Sequence, residues 1–283
     1  MSSSMRCAEL SLAAGEVLAA TAVTAERWLL VEVPGSWPRD VAAEGALPDA
    51  AQEAVGAWLG TTPGARLQFV RRPGRAARRP LAFVICAEES RQEVRRIELG
   101  CLEDLATLDI GAAGTPVDPS LVLVCGHGSR DQCCALRGTE VFGALVGRLG
   151  EEELWISSHL GGHRFAANVL VLPVGLQLGR VEASEAPFVV ARALGGKIEL
   201  ERYRGRTCYA PTVQAGEHAV RMAAGLDGVD DLRFAGVEHG HVRFRSWDGT
   251  DWAAVVEEVE GPAVPASCGD DPAPQRAFRA RAL

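Results

Sequence analysis

The sequence predicts an α/β protein built from two units in tandem. Short β-prone runs alternate with helical stretches in both halves, a segment rich in Gly, Pro and small residues (111–120) separates them, and Leu121–Cys125 is apolar throughout, as a strand buried on both faces is. In the first unit, Trp28–Val33 reads as a strand closed by Pro34, Gly35 and Ser36. Residues 49–60 read as a helix, with Asp49 as its cap and Gly60 at its end. Leu67–Val70 and Leu81–Cys86 read as paired strands around the loop Arg71–Pro80, and a strand at Arg96–Leu99 and a short helix near Cys101–Leu108 complete the unit.

In the second unit, Leu121–Cys125 leads through a glycine-bearing loop, residues 126–134, into a helix over about residues 135–149. Leu154–Ser158 is the next strand, and Asn168–Leu172 with Leu176–Val181 form a hairpin turned by Pro173 and Gly175. Helices follow at Glu185–Leu194 and Val213–Leu226, then strands at Leu232–Val237, His241–Arg245 and Trp252–Val259. A βαβ order followed by a hairpin in both halves is the order of a thioredoxin-like layer. The expected organisation is a thioredoxin-like unit (1–112), a second such unit (118–200), an α/β extension (201–260) and a Pro-rich tail (261–283).

The formal charge of −8 over 283 residues argues against sequence-independent nucleic-acid binding, which needs a large positive surface. No apolar run approaches the ~20 residues of a membrane span, and Glu9 and Glu16 interrupt any signal-peptide pattern. The expected compartment is therefore the reducing cytoplasm, where eight cysteines stay as thiols, bind metal or do redox chemistry.

Two stretches concentrate ligand-type residues, Cys125-Gly-His-Gly-Ser-Arg-Asp-Gln-Cys133-Cys134 and Ser158-His159-Leu-Gly-Gly-His163, each just after an expected strand. A lone cysteine ending a buried strand is usually a small core hydrophobe, and a lone His-x-x-x-His is usually two ordinary histidines. Their joint occurrence in two loops that leave one sheet edge points to metal instead. Cys125, Cys134, His159 and His163 are the candidate ligands, and Gly126, Gly128, Gly161 and Gly162 would let backbone approach a bulky centre. The cysteines enclose eight residues and twenty-four separate Cys134 from His159, which excludes a zinc finger but not another structural zinc site. A 2Fe–2S cluster with two Cys and two His also fits the ligand set, although Rieske spacing pairs one Cys with one His in each loop.

The string Cys-x-His-Gly-x-Arg-Asp-x-x-Cys (125–134), then His-x-Gly-Gly-His (159–163) with Phe165, Ala166, Asn168 and Val169, resembles the sucrase/ferredoxin-like family of thioredoxin-like ferredoxins. That family includes the yeast actin-patch-distribution type proteins. The resemblance is strongest over residues 121–182 and extends more weakly to Trp28–Gly35, Arg204-Gly-Arg-Thr and Ala266-Ser-Cys268. It implies a thioredoxin-like ferredoxin domain, preceded by a similar unit without ligands, that carries a 2Fe–2S cluster on Cys125, Cys134, His159 and His163. Cys133 is an alternate ligand on this reading.

The expected function is one-electron transfer, coupled to protons through the imidazoles, with a separate reductase and acceptor as partners. The chain is expected to be more a carrier than a catalyst of its own reaction. With two thiolates and two neutral imidazoles the cluster unit carries 0 or −1 charge rather than −2 or −3, so its potential should exceed that of plant-type ferredoxins. The alternatives are a zinc-stabilised binding module and a sucrose-cleaving hydrolase. Glycoside hydrolysis requires two facing carboxylates, and the matched motifs place no such pair.

Arg130 and Asp131 are expected to hold the ligand loop as an ion pair, or else to be an ordinary exposed pair. The loop 71–80 carries five arginines, read as a solvated hairpin tip or a docking patch for an acidic partner. His239 and His241 read as surface histidines. Cys86 and Cys101 are expected in the core, Cys268 exposed, and Cys7 and Cys208 without metal-spaced companions.

Overall fold

The computed structural model describes residues 5–43, 45–72 and 79–283. The helices are α1 (Cys7–Ala13), α2 (Asp49–Thr61), α3 (Gln132–Leu145), α4 (Ala186–Leu194) and α5 (Pro211–Ala224). The first-half strands are β1 (Arg27–Glu32), β2 (Ala65–Arg71), β3 (Leu81–Ala87), β4 (Gln92–Glu98) and β5 (Thr115–Val117). Then come β6 (Leu121–Cys125), β7 (Leu154–Ser157), β8 (Val169–Leu172), β9 (Leu176–Leu178) and β10 (Tyr203–Arg206). The last four are β11 (Leu232–Glu238), β12 (His241–Ser246), β13 (Asp251–Val264) and β14 (Ala273–Ala282).

Among the described residues the strands form one ten-stranded mixed sheet, ordered β10-β9-β8-β6-β7-β2-β1-β3-β4-β5, and one four-stranded antiparallel sheet, β11-β12-β13-β14. The protein is thus α/β, and the two halves of the large sheet share one connectivity. In each, a βαβ unit gives a parallel pair (β1 with β2, β6 with β7), and an antiparallel strand (β3, β8) flanks the first strand and is followed by a hairpin partner (β4, β9). The halves join through antiparallel pairing of β2 with β7.

Alternation along β6 sorts its side chains. Val122 and Val124 pack under Val141, Phe142 and Leu145 of α3, whereas Leu121, Leu123 and Cys125 face Trp155, Leu170 and Leu172. Helix α5 begins at Pro211, ends at Gly225 with φ 68°, and lays Val213 and Val220 on Val242, Phe244 and Ala254 of the small sheet.

Several elements differ from the sequence expectation. Helix α3 starts at Gln132 because Asp131 caps it, so Cys133 and Cys134 lie in its first turn and not in a loop. The segment 102–107 is a 3₁₀ helix, and β4 begins at Gln92 because it pairs along the whole of β3. The expected tail at 261–283 is ordered, with β13 running to Val264 and β14 pairing back along it. The proline signal misled here. Gly261 and Pro262 sit where the β13–β14 register shifts, a position that tolerates a missing N–H, and the Arg/Ala alternation of 276–282 is a strand pattern.

Candidate metal centre

Strands β6 and β7 are parallel and place Cys125 opposite Ser157, so the two ligand-bearing loops leave the same sheet edge side by side. The Gly126 N–H donates to the Ser157 carbonyl at 3.0 Å and fixes that register one residue further. Beyond the loop, Asp131 accepts the Cys133 N–H at 2.7 Å and starts α3. Successive helical residues point about 100° apart, so Cys134 turns toward Cys125 while Cys133 turns toward α1.

The Sγ atoms of Cys125 and Cys134 and a ring nitrogen of His159 lie within 4.8 Å of one another. His163 stands beside this group, with its ring stacked on that of His159 at 4.3 Å between centroids. Both cysteines and His163 are buried, and His159 is partly exposed at the surface. The Nδ1 atoms of both histidines are buried without a hydrogen-bond partner among the described residues. Such orphaned donor atoms next to two thiols fit a metal centre with mixed sulfur and nitrogen ligands.

The electrostatics agree with that chemistry. Hydrogen bonding to Cys134, aided by His159, holds the Cys125 thiol well below its usual range against the opposing effect of burial. Cys134 is raised by the same bond and by its own burial, so one proton serves two sulfurs. Burial, reinforced by His159, pushes His163 down to about 4, which leaves a neutral imidazole at pH 7.

The glycines are pressed against protein neighbours, which is a different role from facing a bulky centre. A Cβ on Gly126 would come 2.8 Å from the Ile156 side chain, and on Gly128 3.2 Å from Ala135. Gly161 and Gly162 have φ of 83° and 67°, and their Cβ positions lie 2.5 Å from Val23 and 2.6 Å from the Arg204 guanidinium. Arg204 is the clamp of this loop. It donates to the Gly161 carbonyl at 2.8 Å and to Asn168 Oδ1 at 2.7 Å, and Asn168 Nδ2 donates to the Gly162 carbonyl at 3.0 Å. His127 joins the two ligand loops. Its Nδ1 accepts the His159 N–H at 3.2 Å, which places the ring proton on Nε2, 2.9 Å from the Pro38 carbonyl. The sequence held both residues inside quoted motifs, but their roles depend on partners distant in the chain.

Arg130 and Asp131 do not pair with each other among the described residues. Arg130 lines a groove of about 200 Å³ beside His159, together with Arg39, Asp40, Arg66, Gln68 and His127. Asp131 accepts the Ser267 hydroxyl and the Cys268 N–H, both at 2.8 Å. Cys133 stands apart from the Cys125 group and meets Cys7 and Cys268, so neither of those two is a companionless thiol and Cys268 is not fully exposed. Cys101 is exposed, whereas Cys86 is in the core as expected. In the arginine loop, Arg71 donates to the Gly35 carbonyl and Arg72 holds Glu32 with two bonds; Arg75 and Arg78 lie outside the described residues.

Comparison with known proteins bears on this site directly. The family model described as sucrase/ferredoxin-like matches residues 18–205, a span that contains both ligand loops. The chain belongs to the sucrase/ferredoxin-like family. Among curated relatives, altered inheritance of mitochondria protein 32 of Eremothecium gossypii is 34% identical over 146 residues, 47% of this chain and 46% of that protein. The protein of the same name in Clavispora lusitaniae is 34% identical over 103 residues, covering 33% and 37%. That of Debaryomyces hansenii is 31% identical over 99 residues, covering 31% and 36%. The chain thus spans less than half the length of these relatives. Their name refers to mitochondria, and no helix among the described residues of this chain is long and apolar enough to cross a membrane.

Proposed function

We propose that this member of the sucrase/ferredoxin-like family is a one-electron carrier whose 2Fe–2S cluster is held by Cys125, Cys134, His159 and His163. The observation that carries this reading is the pair of buried, partnerless Nδ1 atoms on stacked histidines beside two thiols. When bound, such a cluster takes up and releases a single electron. The chain's own residues then have separable tasks. Cys125 and Cys134 supply thiolate charge from the buried side, and His159 carries the group to the surface. His127 and Arg204 hold the two loops in register, and the second ring nitrogen of each imidazole ligand is the site where a proton can accompany the electron. Arg39, Arg66 and Arg130 around the His159 groove favour an acidic docking surface on a separate reductase or acceptor. Among the described residues that groove offers one carboxylate, Asp40, where glycoside hydrolysis requires two.

Anaerobic purification followed by visible and EPR spectroscopy tests the proposal. A reddish protein with about two iron per chain, and a rhombic signal on one-electron reduction, is expected. A colourless protein that holds zinc on Cys125 and Cys134 would overturn it.

A further inference from the structure

A second group of sulfur ligands lies on the other side of the α3 N-terminus. Cys7 Sγ is 3.6 Å from Cys133 Sγ, Cys133 Sγ is 3.4 Å from Cys268 Sγ, and Cys268 Sγ is 3.5 Å from Cys7 Sγ. Asp131 closes the fourth corner, its Oδ1 3.5 Å from Cys268 Sγ and 3.9 Å from Cys7 Sγ. We propose that Cys7, Cys133, Cys268 and Asp131 form a structural zinc site, separate from the Cys125 centre, that fastens both ends of the chain to α3.

The distances choose among the chemistries open to three thiols. A disulfide requires sulfurs at about 2.05 Å, and an odd number of thiols cannot pair off. Four ligands placed tetrahedrally around zinc at about 2.3 Å have sulfur–sulfur edges of about 3.8 Å and, with a carboxylate oxygen at about 2.0 Å, sulfur–oxygen edges of about 3.5 Å. The observed separations sit within a few tenths of an ångström of those edges. Each iron of a 2Fe–2S cluster takes only two protein ligands, so three thiols and a carboxylate gathered about one point suit a single ion.

The surroundings are those of a closed structural site. Among the described residues Asp131 Oδ1 accepts the Cys133 N–H and otherwise meets only the Cys268 and Cys7 thiols, so one lone pair is left for a cation between them, while Oδ2 is held by Ser267 and by the Cys268 N–H. Ala8 and Ala166 pack against Cys7 and Cys133, and Cys268 is the partly exposed member of the group. Cys7 and Cys268 lie on either side of the 18–205 span that matches the family, so this site joins segments flanking that span to α3 within it.

The full chain, purified with zinc and iron present, should hold about one zinc per chain beyond its iron. Alkylation of the folded protein followed by peptide mass mapping should find Cys7, Cys133 and Cys268 protected until a zinc chelator is added. Cobalt substitution of the unmutated protein should give sulfur-to-cobalt charge-transfer bands, a readout that needs no variant to fold. Cys268→Ser should lose the zinc and keep the iron and its visible spectrum, whereas Cys134→Ser should lose the iron and keep the zinc. Absence of zinc from the unmutated chain, zinc retained by Cys268→Ser, or a disulfide linking two of the three cysteines would overturn the proposal without touching the Cys125 reading.

Discussion

Gly138→Ala should separate Cys134 from Cys125 by pushing α3 off the sheet. Gly138 lies one turn after Cys134 on the same face of α3, and a Cβ built there would stand 1.9 Å from the Cys125 carbonyl oxygen and 3.0 Å from its carbon. Real Cβ contacts begin near 3.0 Å, so the helix or the end of β6 must move by about 1.1 Å. The obstacle is backbone and cannot rotate away. Overpacking of this kind costs about 3 kcal/mol, and the better helix propensity of Ala returns about 1 kcal/mol, for a net loss of about 2 kcal/mol. Gly143→Ala is the matched control, because it lies on the same helix with nothing within 4 Å of its Cβ position and should stabilise by up to about 1 kcal/mol. The two variants should therefore differ by about 3 kcal/mol in urea unfolding. Metal sites tolerate ligand displacements of about 0.2 Å, so Gly138→Ala should also lose most of its bound iron and visible absorbance while Gly143→Ala keeps both. If Gly138→Ala unfolds at the same urea midpoint as the unmutated chain and retains its iron, the close approach of α3 to Cys125 is not what sets the site.

Other perturbations have equally definite outcomes. Glu217 and Arg221 are fully buried, with Tyr203 OH donating to Glu217 at 2.6 Å, so Glu217→Ala strands a guanidinium and should cost about 3–5 kcal/mol in denaturant unfolding. Arg204→Lys loses the fork that holds the Gly161 carbonyl and Asn168, at a cost of about 3 kcal/mol, and hydrogen exchange should quicken over residues 159–163. His163→Cys should keep an iron–sulfur spectrum but lower the midpoint potential in redox titration, because a thiolate adds negative charge. Lys197 and Arg192 hold the Asp227 carboxyl below its usual value. Its stabilising contribution is therefore complete above the unfolded aspartate value of about 3.9 and is lost as pH falls through the lower folded value, so Asp227→Asn should flatten the acid limb of a pH–stability curve.

The sequence by itself determined the α/β class, most of the strands and the two loops that carry the candidate Cys and His ligands. Those features are local: apolar runs, turn residues, and a dense string of Cys, His and Gly after a buried strand. Tertiary structure decided how the parts meet. The parallel register of β6 and β7 sets Cys125 beside Ser157, and hence beside the His159 loop. The Asp131 cap put Cys133 and Cys134 on a helix, where one residue of offset sends their thiols to different groups. No spacing rule could have joined Cys7 to Cys268 or assigned Arg204 to the loop at Gly161, because those contacts span long stretches of chain and depend on where whole elements pack. Prolines near the C-terminus read as irregularity until β13 and β14 paired around them. Short-range chemistry is written in neighbouring residues, while the choice of which thiols become companions is made only when the sheet closes.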